Sequence, residues 1–276
     1  DSLSCELAAR ELGKSIRQIR RLRRRYEQTG VAGLRSRHFG RRAANRLDEA
    51  LRARVIDTVR ALYPDFGPTL ANEKLRAEHD VILSTESVRQ LMIEAGLWHN
   101  RKRKTYVHQP RERRPHYGEL AQIDGSLHDW FEGRAPRCTL LVAIDDATST
   151  YMHLLFVKRE TTDDYFTFVS GYLQLHGKPC GFYSDKHAIF RNHLRASRSL
   201  NLTTQFARAM SELNIELICA NTPQAKGRVE RANATLQDRL VKELRLRNIS
   251  SIEAANTFLA EYRLELNRRF QKPPRL

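Results

Sequence analysis

Apolar residues recur at helical spacing through the first third of the chain, then in short alternating or unbroken runs through the middle. Leu3, Leu7, Ala8 and Leu12 form one helical row; Ile16, Ile19, Leu22 and Tyr26 form another. Residues 3–29 therefore read as two helices turning at Gly13, with Gly13 suited to a left-handed C′ position and Ser15 to an N-cap. Helix, short glycine turn, helix is a helix-turn-helix plan. A Gly/Arg-rich stretch from Thr29 to Asn45 reads as an extended linker. A second helical unit follows. Leu47–Leu62 is amphipathic and stopped by Pro64; Thr69–Glu78 and Ser84–Ala95 form a helix pair, with Ser84 as a capping residue and Gly96 at its end. Trp98–Pro115 breaks both periodicities and reads as a cationic tether.

From Gly118 the pattern changes. Leu120–Asp124, Cys138–Asp145, Tyr151–Val157, Pro179–Ser184 and Ile215–Ala220 are strand-like. Thr162–Leu175, Thr203–Leu213, Arg228–Leu246 and Ile252–Asn267 are helical. These readings divide the chain into a helix-turn-helix domain over 1–45, a second helical domain over 46–100, a basic linker over 101–117 and a mixed α/β domain over 118–276.

Charge sharpens this division. The chain carries a formal +16, and residues 1–114 hold 26 Lys/Arg against 14 Asp/Glu, whereas the rest holds 22 against 18. Polyanion binding is thus expected at the N-terminal end. The second predicted helix concentrates it: Arg17, Gln18, Arg20, Arg21, Arg23, Arg24 and Arg25 surround its apolar row, too many cations for solubility alone. The equivalent helix of the second unit offers Arg89 and Gln90, and DNA contact there competes with a plain packing role. Four cysteines without a Cys-x-x-Cys pair argue against a zinc knuckle or disulfide framework and for a reducing cytosol. No apolar run approaches the ~20 residues that span a bilayer, so no membrane partner is expected. The chain begins at Asp1 and ends at Pro-Pro-Arg-Leu, and is expected to be a fragment.

Three carboxylates carry the chemistry. Asp124 and Asp185 close two of the strand-like runs, and Glu230 lies one turn into a long helix. Phosphoryl transfer with two divalent ions needs anionic oxygens gathered within one small cluster, and hard Mg²⁺ prefers carboxylates. Each residue alone has a plainer reading: Asp124 could start a turn, Asp185 could cap a helix, and Glu230 could sit on a solvated face. The segments around them decide the matter. Gln122-Ile123-Asp124-Gly125-Ser126, Ile144-Asp145-Asp146-Ala147-Thr148, Tyr183-Ser184-Asp185-Lys186-His187 and, above all, Asn221-Thr222-Pro223-Gln224-Ala225-Lys226-Gly227-Arg228-Val229-Glu230-Arg231 resemble the transposase/integrase superfamily with a retroviral-type integrase core, specifically bacterial insertion-sequence transposases.

The resemblance covers roughly Gly118 to Asn267. It implies an RNase H-like mixed sheet flanked by helices, preceded by all-α helix-turn-helix units. It makes Asp124, Asp185 and Glu230 the catalytic, metal-binding triad for two Mg²⁺ or Mn²⁺ ions. It further implies water activation to free a 3′-hydroxyl that attacks target DNA, and a segment Pro223–Gly227 that, with Lys226 and Arg228, touches DNA near the scissile phosphate. Double-stranded DNA, as terminal inverted repeats and target, is the implied partner, with a homo-oligomer assembled on it in the bacterial cytosol, at the nucleoid. The chain departs from the pattern in carrying Lys186-His187 after the second Asp, in the 44 residues between Asp185 and Glu230, and in an Arg/Ser/Asn-rich insert over Phe190–Thr203. The C-terminal domain usual in such transposases is expected to be missing. Asp145 and Asp146 are rival carboxylates, read as structural. The alternative function is that of a catalytically inactive truncated transposase acting as a DNA-binding repressor.

Overall fold

The structure, a computed structural model, describes residues 4–35, 47–99, 111–185, 187–190, 203–220 and 226–276. The chain divides into two compact units, residues 1–102 and 103–276.

In the first unit, α1 (Cys5–Glu11) and α2 (Ile16–Thr29) are capped by Ser4 and Ser15, whose hydroxyls accept from the backbone N–H groups of Leu7 and Gln18, each at 3.2 Å. Gly13 takes φ +60° between them, the left-handed turn expected of it. In α1 and α2 the buried residues are Ala9 and Ile19, and most of α2 faces solvent. The segment after Thr29, expected to be extended, begins instead with a short helix, α3 (Val31–Leu34). Gly33 lets that helix close on α2, since a Cβ there would lie 2.2 Å from the carbonyl oxygen of Arg25. The rest of that linker, from residue 36 to 46, lies outside the described residues.

The helices α4 (Glu49–Leu62), α5 (Pro68–His79) and α6 (Thr85–Glu94) share a fuller core of Val55, Val59, Tyr63, Phe66, Leu70, Leu75, Val81, Val88, Leu91 and Met92. Tyr63 fills the place that the amphipathic row assigned to Leu62, which is half exposed.

The second unit is built on one mixed sheet. β1 (Leu120–His128) pairs antiparallel with β2 (Cys138–Asp145), and β2 pairs antiparallel with β3 (Tyr151–Val157). On its other side β1 runs parallel to β4 (Gly181–Ser184), which runs parallel to β5 (Glu216–Cys219). The order β3-β2-β1-β4-β5 is the RNase H-like arrangement. Helices α7 (Thr162–His176) and α8 (Gln205–Glu212) cover one face, packing Tyr165, Phe168, Tyr172, Phe206 and Met210 on Ile123, Leu141 and Ala143. Helices α9 (Gly227–Leu246) and α10 (Ile252–Phe270) cover the other, packing Leu236, Leu240, Leu259 and Tyr262 on Leu140, Val142 and Ile144. Alternate residues of β2 thus serve opposite layers, which is why the strand reads as a continuous apolar run. The free edge of β3 is covered: Asn256 and Asn267 of α10 hydrogen-bond the backbone N–H and C=O of Phe156 and Tyr151 at 2.7–3.0 Å.

Two expectations need correction. β1 does not end at Asp124; it runs on to His128, because Gly125–His128 keep their ladder to β2. Residues 111–117 are no loose tether. Arg113 donates to the carbonyls of Asp146 and Ala147 at 3.2 and 3.0 Å, and Arg114 N–H donates to Asp146 Oδ2 at 2.8 Å, strapping this segment onto the sheet unit. Among the described residues no helix is long and apolar enough to cross a membrane.

Candidate active site and nucleic-acid interface

The register of the two parallel strands brings the first two carboxylates side by side. Leu120, Ala121 and Gln122 pair with Gly181, Phe182 and Tyr183, and continuing that register two residues sets Asp124 opposite Asp185. β4 stops at Ser184, so the flank of β1 beyond Gln122 is open on this side. One cation lies between the two carboxylates. The Lys226 ammonium is 2.6 Å from Asp124 Oδ1 and 3.3 Å from Asp185 Oδ2, and its side chain is only 7% exposed. Asn233 Nδ2 donates to the other Asp124 oxygen at 2.8 Å.

Burial pushes the Asp124 carboxyl above its ordinary range; Lys226 opposes that shift, while Asp185 and Glu160 add to it. Burial also works against the charge on Lys226, but Asp124 and Asp185 outweigh it and hold the ammonium above the usual lysine range. An ammonium captured between two carboxylates marks a pocket whose donor set suits a cation. Hard oxygen ligands of this kind fit Mg²⁺ or Mn²⁺.

Glu230 is exposed, and the structure does not bring its carboxylate to the other two. Among the described residues no three His, Cys, Asp or Glu side chains are close enough to hold a metal ion. Its backbone position is nonetheless suited to the site. Lys226, Glu230 and Asn233 follow one another at i, i+4 and i+7 along the start of α9, hence on one face. The residues on either side of Glu230 on that face both touch Asp124.

Two participants escaped the sequence reading. Glu160, just before α7, sets its carboxylate against Gly125, where a Cβ would come within 2.6 Å, and accepts from the Tyr165 hydroxyl at 2.7 Å. Its neighbours Thr161 and Asp164 form a capping box and gave no sign of a site; the glycine after Asp124 was the available signal. Asn233 could have been found from its spacing to Glu230.

The rival pair is engaged at every oxygen and sealed from solvent. Asp145 and Asp146 are both 0% exposed. Asp145 accepts from Gly118 N–H, Thr148 N–H and Thr148 Oγ1 at 2.7–2.9 Å. Asp146 accepts from Gln122 Nε2 and Arg228 Nη1, each at 2.7 Å, from Arg114 N–H and from Arg111. Arg228, expected at DNA, therefore points inward with its side chain 12% exposed, and burial lowers its pKa while Asp146 resists. The segment Asn221–Ala225, Lys186 and most of the insert after Phe190 lie outside the described residues.

On α2, Arg17, Arg20, Arg21 and Arg24 are exposed and Gln18 is half-buried; all five line one surface with Ser15 and Ile16. Arg23 instead pairs with Glu27 at 2.9 Å, and Arg25 donates to the Arg35 carbonyl at 2.5 Å. On α6, Arg89 and Gln90 both donate to Glu86, whose carboxyl is lowered to about 2 by Arg89 and then Gln90.

Residues 18–92 match the family described as a homeodomain-like domain, which runs from α2 to α6. The provisionally named transposase y4bF of Sinorhizobium fredii is 49% identical over 267 residues, covering 97% of this chain and 58% of that protein. The chain is a relative of transposases along nearly all of its own length. The transposase for insertion sequence IS1202 of Streptococcus pneumoniae is 31% identical over 304 residues, covering 96% of this chain and 64% of that protein. The chain thus spans less than two thirds of the length of either relative. Among solved structures, the HTLV-2 integrase catalytic core domain in complex with magnesium is 18% identical at a TM-score of 0.42, covering 55% of this chain and 88% of that one.

Proposed function

We propose that this chain is the DNA-binding and catalytic portion of a DDE transposase, which cuts DNA at the ends of its element and joins them to target DNA. The observation that carries this reading is the pairing of Asp124 and Asp185 about a cation, on adjacent parallel strands and beneath the helix face that bears Glu230. Asp124, Asp185 and Glu230 are the residues that would hold two Mg²⁺ or Mn²⁺ ions; when bound, such ions activate the attacking oxygen and stabilise the leaving one. Asp124 supplies oxygens from within β1, and Asp185 from the residue that follows β4. Glu230 completes the set by turning in from α9, and Lys226 withdraws from the carboxylates it neutralises. Once displaced, Lys226 stands within reach of a DNA phosphate beside the carboxylates.

End recognition falls to α2, where Arg17, Gln18 and Arg21 near the helix N-terminus suit base edges, and Arg20 and Arg24 suit phosphates. Work on paired element ends calls for more than one copy of the chain, acting on cytosolic DNA at the nucleoid. No observation favours the repressor alternative.

The test is Mg²⁺-dependent nicking of labelled terminal-repeat duplex against a scrambled duplex. Specific nicking by the parent chain, lost in Asp185→Asn with end binding retained, is the expected result. Equal nicking by Asp185→Asn would remove the triad from the chemistry.

A further inference from the structure

Three carboxylates on three elements can act together only if those elements are held at fixed spacing. At the carboxylates themselves the contacts are few, but two residues upstream of each the chain is tied together. Gln122 precedes Asp124 by two, Tyr183 precedes Asp185 by two, and Arg228 precedes Glu230 by two. All three meet at Asp146 and the arginine bound to it. Gln122 Nε2 donates to Asp146 Oδ1 at 2.7 Å, while Gln122 Oε1 accepts from Val229 N–H of α9 at 3.2 Å. Arg228 Nη1 donates to the same Asp146 oxygen at 2.7 Å, and its Nη2 donates to the Arg111 carbonyl at 2.8 Å. The Arg111 guanidinium binds Asp146 and lies 5.5 Å from the centroid of the Tyr183 ring.

On a strand, residues two apart lie on the same face, so a grip on Gln122 sets the direction of Asp124 as well. On a helix, residues two apart lie on nearly opposite flanks, so Arg228 grips α9 from behind Glu230. Asp146 is fully buried and each of its oxygens is engaged. A buried carboxylate that collects two arginines, a glutamine and a backbone N–H fixes directions as well as distances.

We propose that Asp146 and Arg111 are positioning residues, which set the spacing of Asp124, Asp185 and Glu230 through Gln122, Tyr183 and Arg228. The inference rests on the triad reading given above and adds to it the device that aligns the triad. Arg111 belongs to the strap before β1 and its side chain is 32% exposed, so it can be changed without opening the sheet.

The experiment compares the full chain with Arg111→Gln, Tyr183→Leu and Tyr183→Phe. Mn²⁺ binding is read without DNA by the paramagnetic resonance of free Mn²⁺; single-turnover nicking, end-DNA affinity and thermal midpoint are read alongside. Groups that orient metal-binding side chains typically cost about 10–100-fold when removed. Arg111→Gln and Tyr183→Leu should weaken Mn²⁺ binding and slow nicking by about tenfold, with end-DNA affinity and thermal midpoint close to those of the parent. Tyr183→Phe keeps the ring and should behave as the parent. Parent-like Mn²⁺ binding and nicking in Arg111→Gln would overturn the proposal, and so would equal losses in Tyr183→Phe and Tyr183→Leu. Asp185→Asn, run in the same series, keeps the two readings apart: if it binds Mn²⁺ as the parent does, the triad reading itself has failed.

Discussion

The second unit holds two pairs of carboxylates that look alike in sequence and differ in every physical respect. Asp145 and Asp146 end one strand, are wholly buried, and have their oxygens filled by backbone N–H groups, a threonine, a glutamine and arginines. Asp124 and Asp185 come from adjacent strands, one 17% and the other 49% exposed, and share a lysine at the end of a helix. Every oxygen of the first pair is hydrogen-bonded and shut off from solvent, so this pair holds structure. The second shares the Lys226 ammonium and has a route to solvent through the half-exposed Asp185. Strand-end aspartates therefore tell nothing by themselves; what separates structure from chemistry is whether their partners can leave.

That contrast can be broken most sharply at Asp146. Removing the buried carboxylate that all its partners share leaves two arginines, a glutamine and a backbone N–H uncompensated at once, so Asp146→Ala should cost about 3–5 kcal/mol of stability in urea unfolding. Asp124→Asn should cost less than about 1 kcal/mol, because burial already opposes its charge and Lys226 retains Asp185. Equal costs would erase the distinction between the pairs. A smaller effect is expected at the exchangeable cation. Lys226→Met removes the competitor of a metal, and DNA-free titration should show Mn²⁺ binding tightened by about tenfold. Weaker binding in that variant would make Lys226 a support of the site instead of its placeholder. Smallest is the effect at the DNA-reading surface, where the same logic of committed and uncommitted partners applies. Arg24→Ala on α2 should lower the slope of log affinity against log salt by ~0.9, whereas Arg89→Ala, whose guanidinium is already held by Glu86, should leave it unchanged. A salt titration of both variants checks this.

Much of the fold was legible in the sequence because its layers impose periodicity. β2, β3, α7 and α10 start where their apolar patterns start, and the caps at Ser15 and Ser84 form as their residue types suggest. The misreadings share a cause in long-range pairing. Gly125-Ser126 carries no strand signal of its own, yet β1 continues through it because β2 supplies the ladder. The strap at 111–117 looked like a free cationic tether, since nothing local reveals that Arg111 meets a carboxylate 35 residues away. The resemblance put Arg228 at DNA, and the buried Asp146 claims it. In the site, the residue types and order of the triad were readable. The neighbours that shape it are set by folding, Glu160 against Gly125 and Asn233 on the Asp124 carboxylate.

The central claim is that a divalent ion belongs between Asp124, Asp185 and Glu230. Anomalous scattering at the manganese edge, from crystals of this chain soaked in Mn²⁺, measures that directly. The account predicts manganese peaks ligated by Asp124 and Asp185, with Lys226 swung away and the Glu230 carboxylate turned in. Manganese held at Asp145 and Asp146, or beside Asp124 with Glu160 as its third carboxylate while Glu230 stays in solvent, would contradict it.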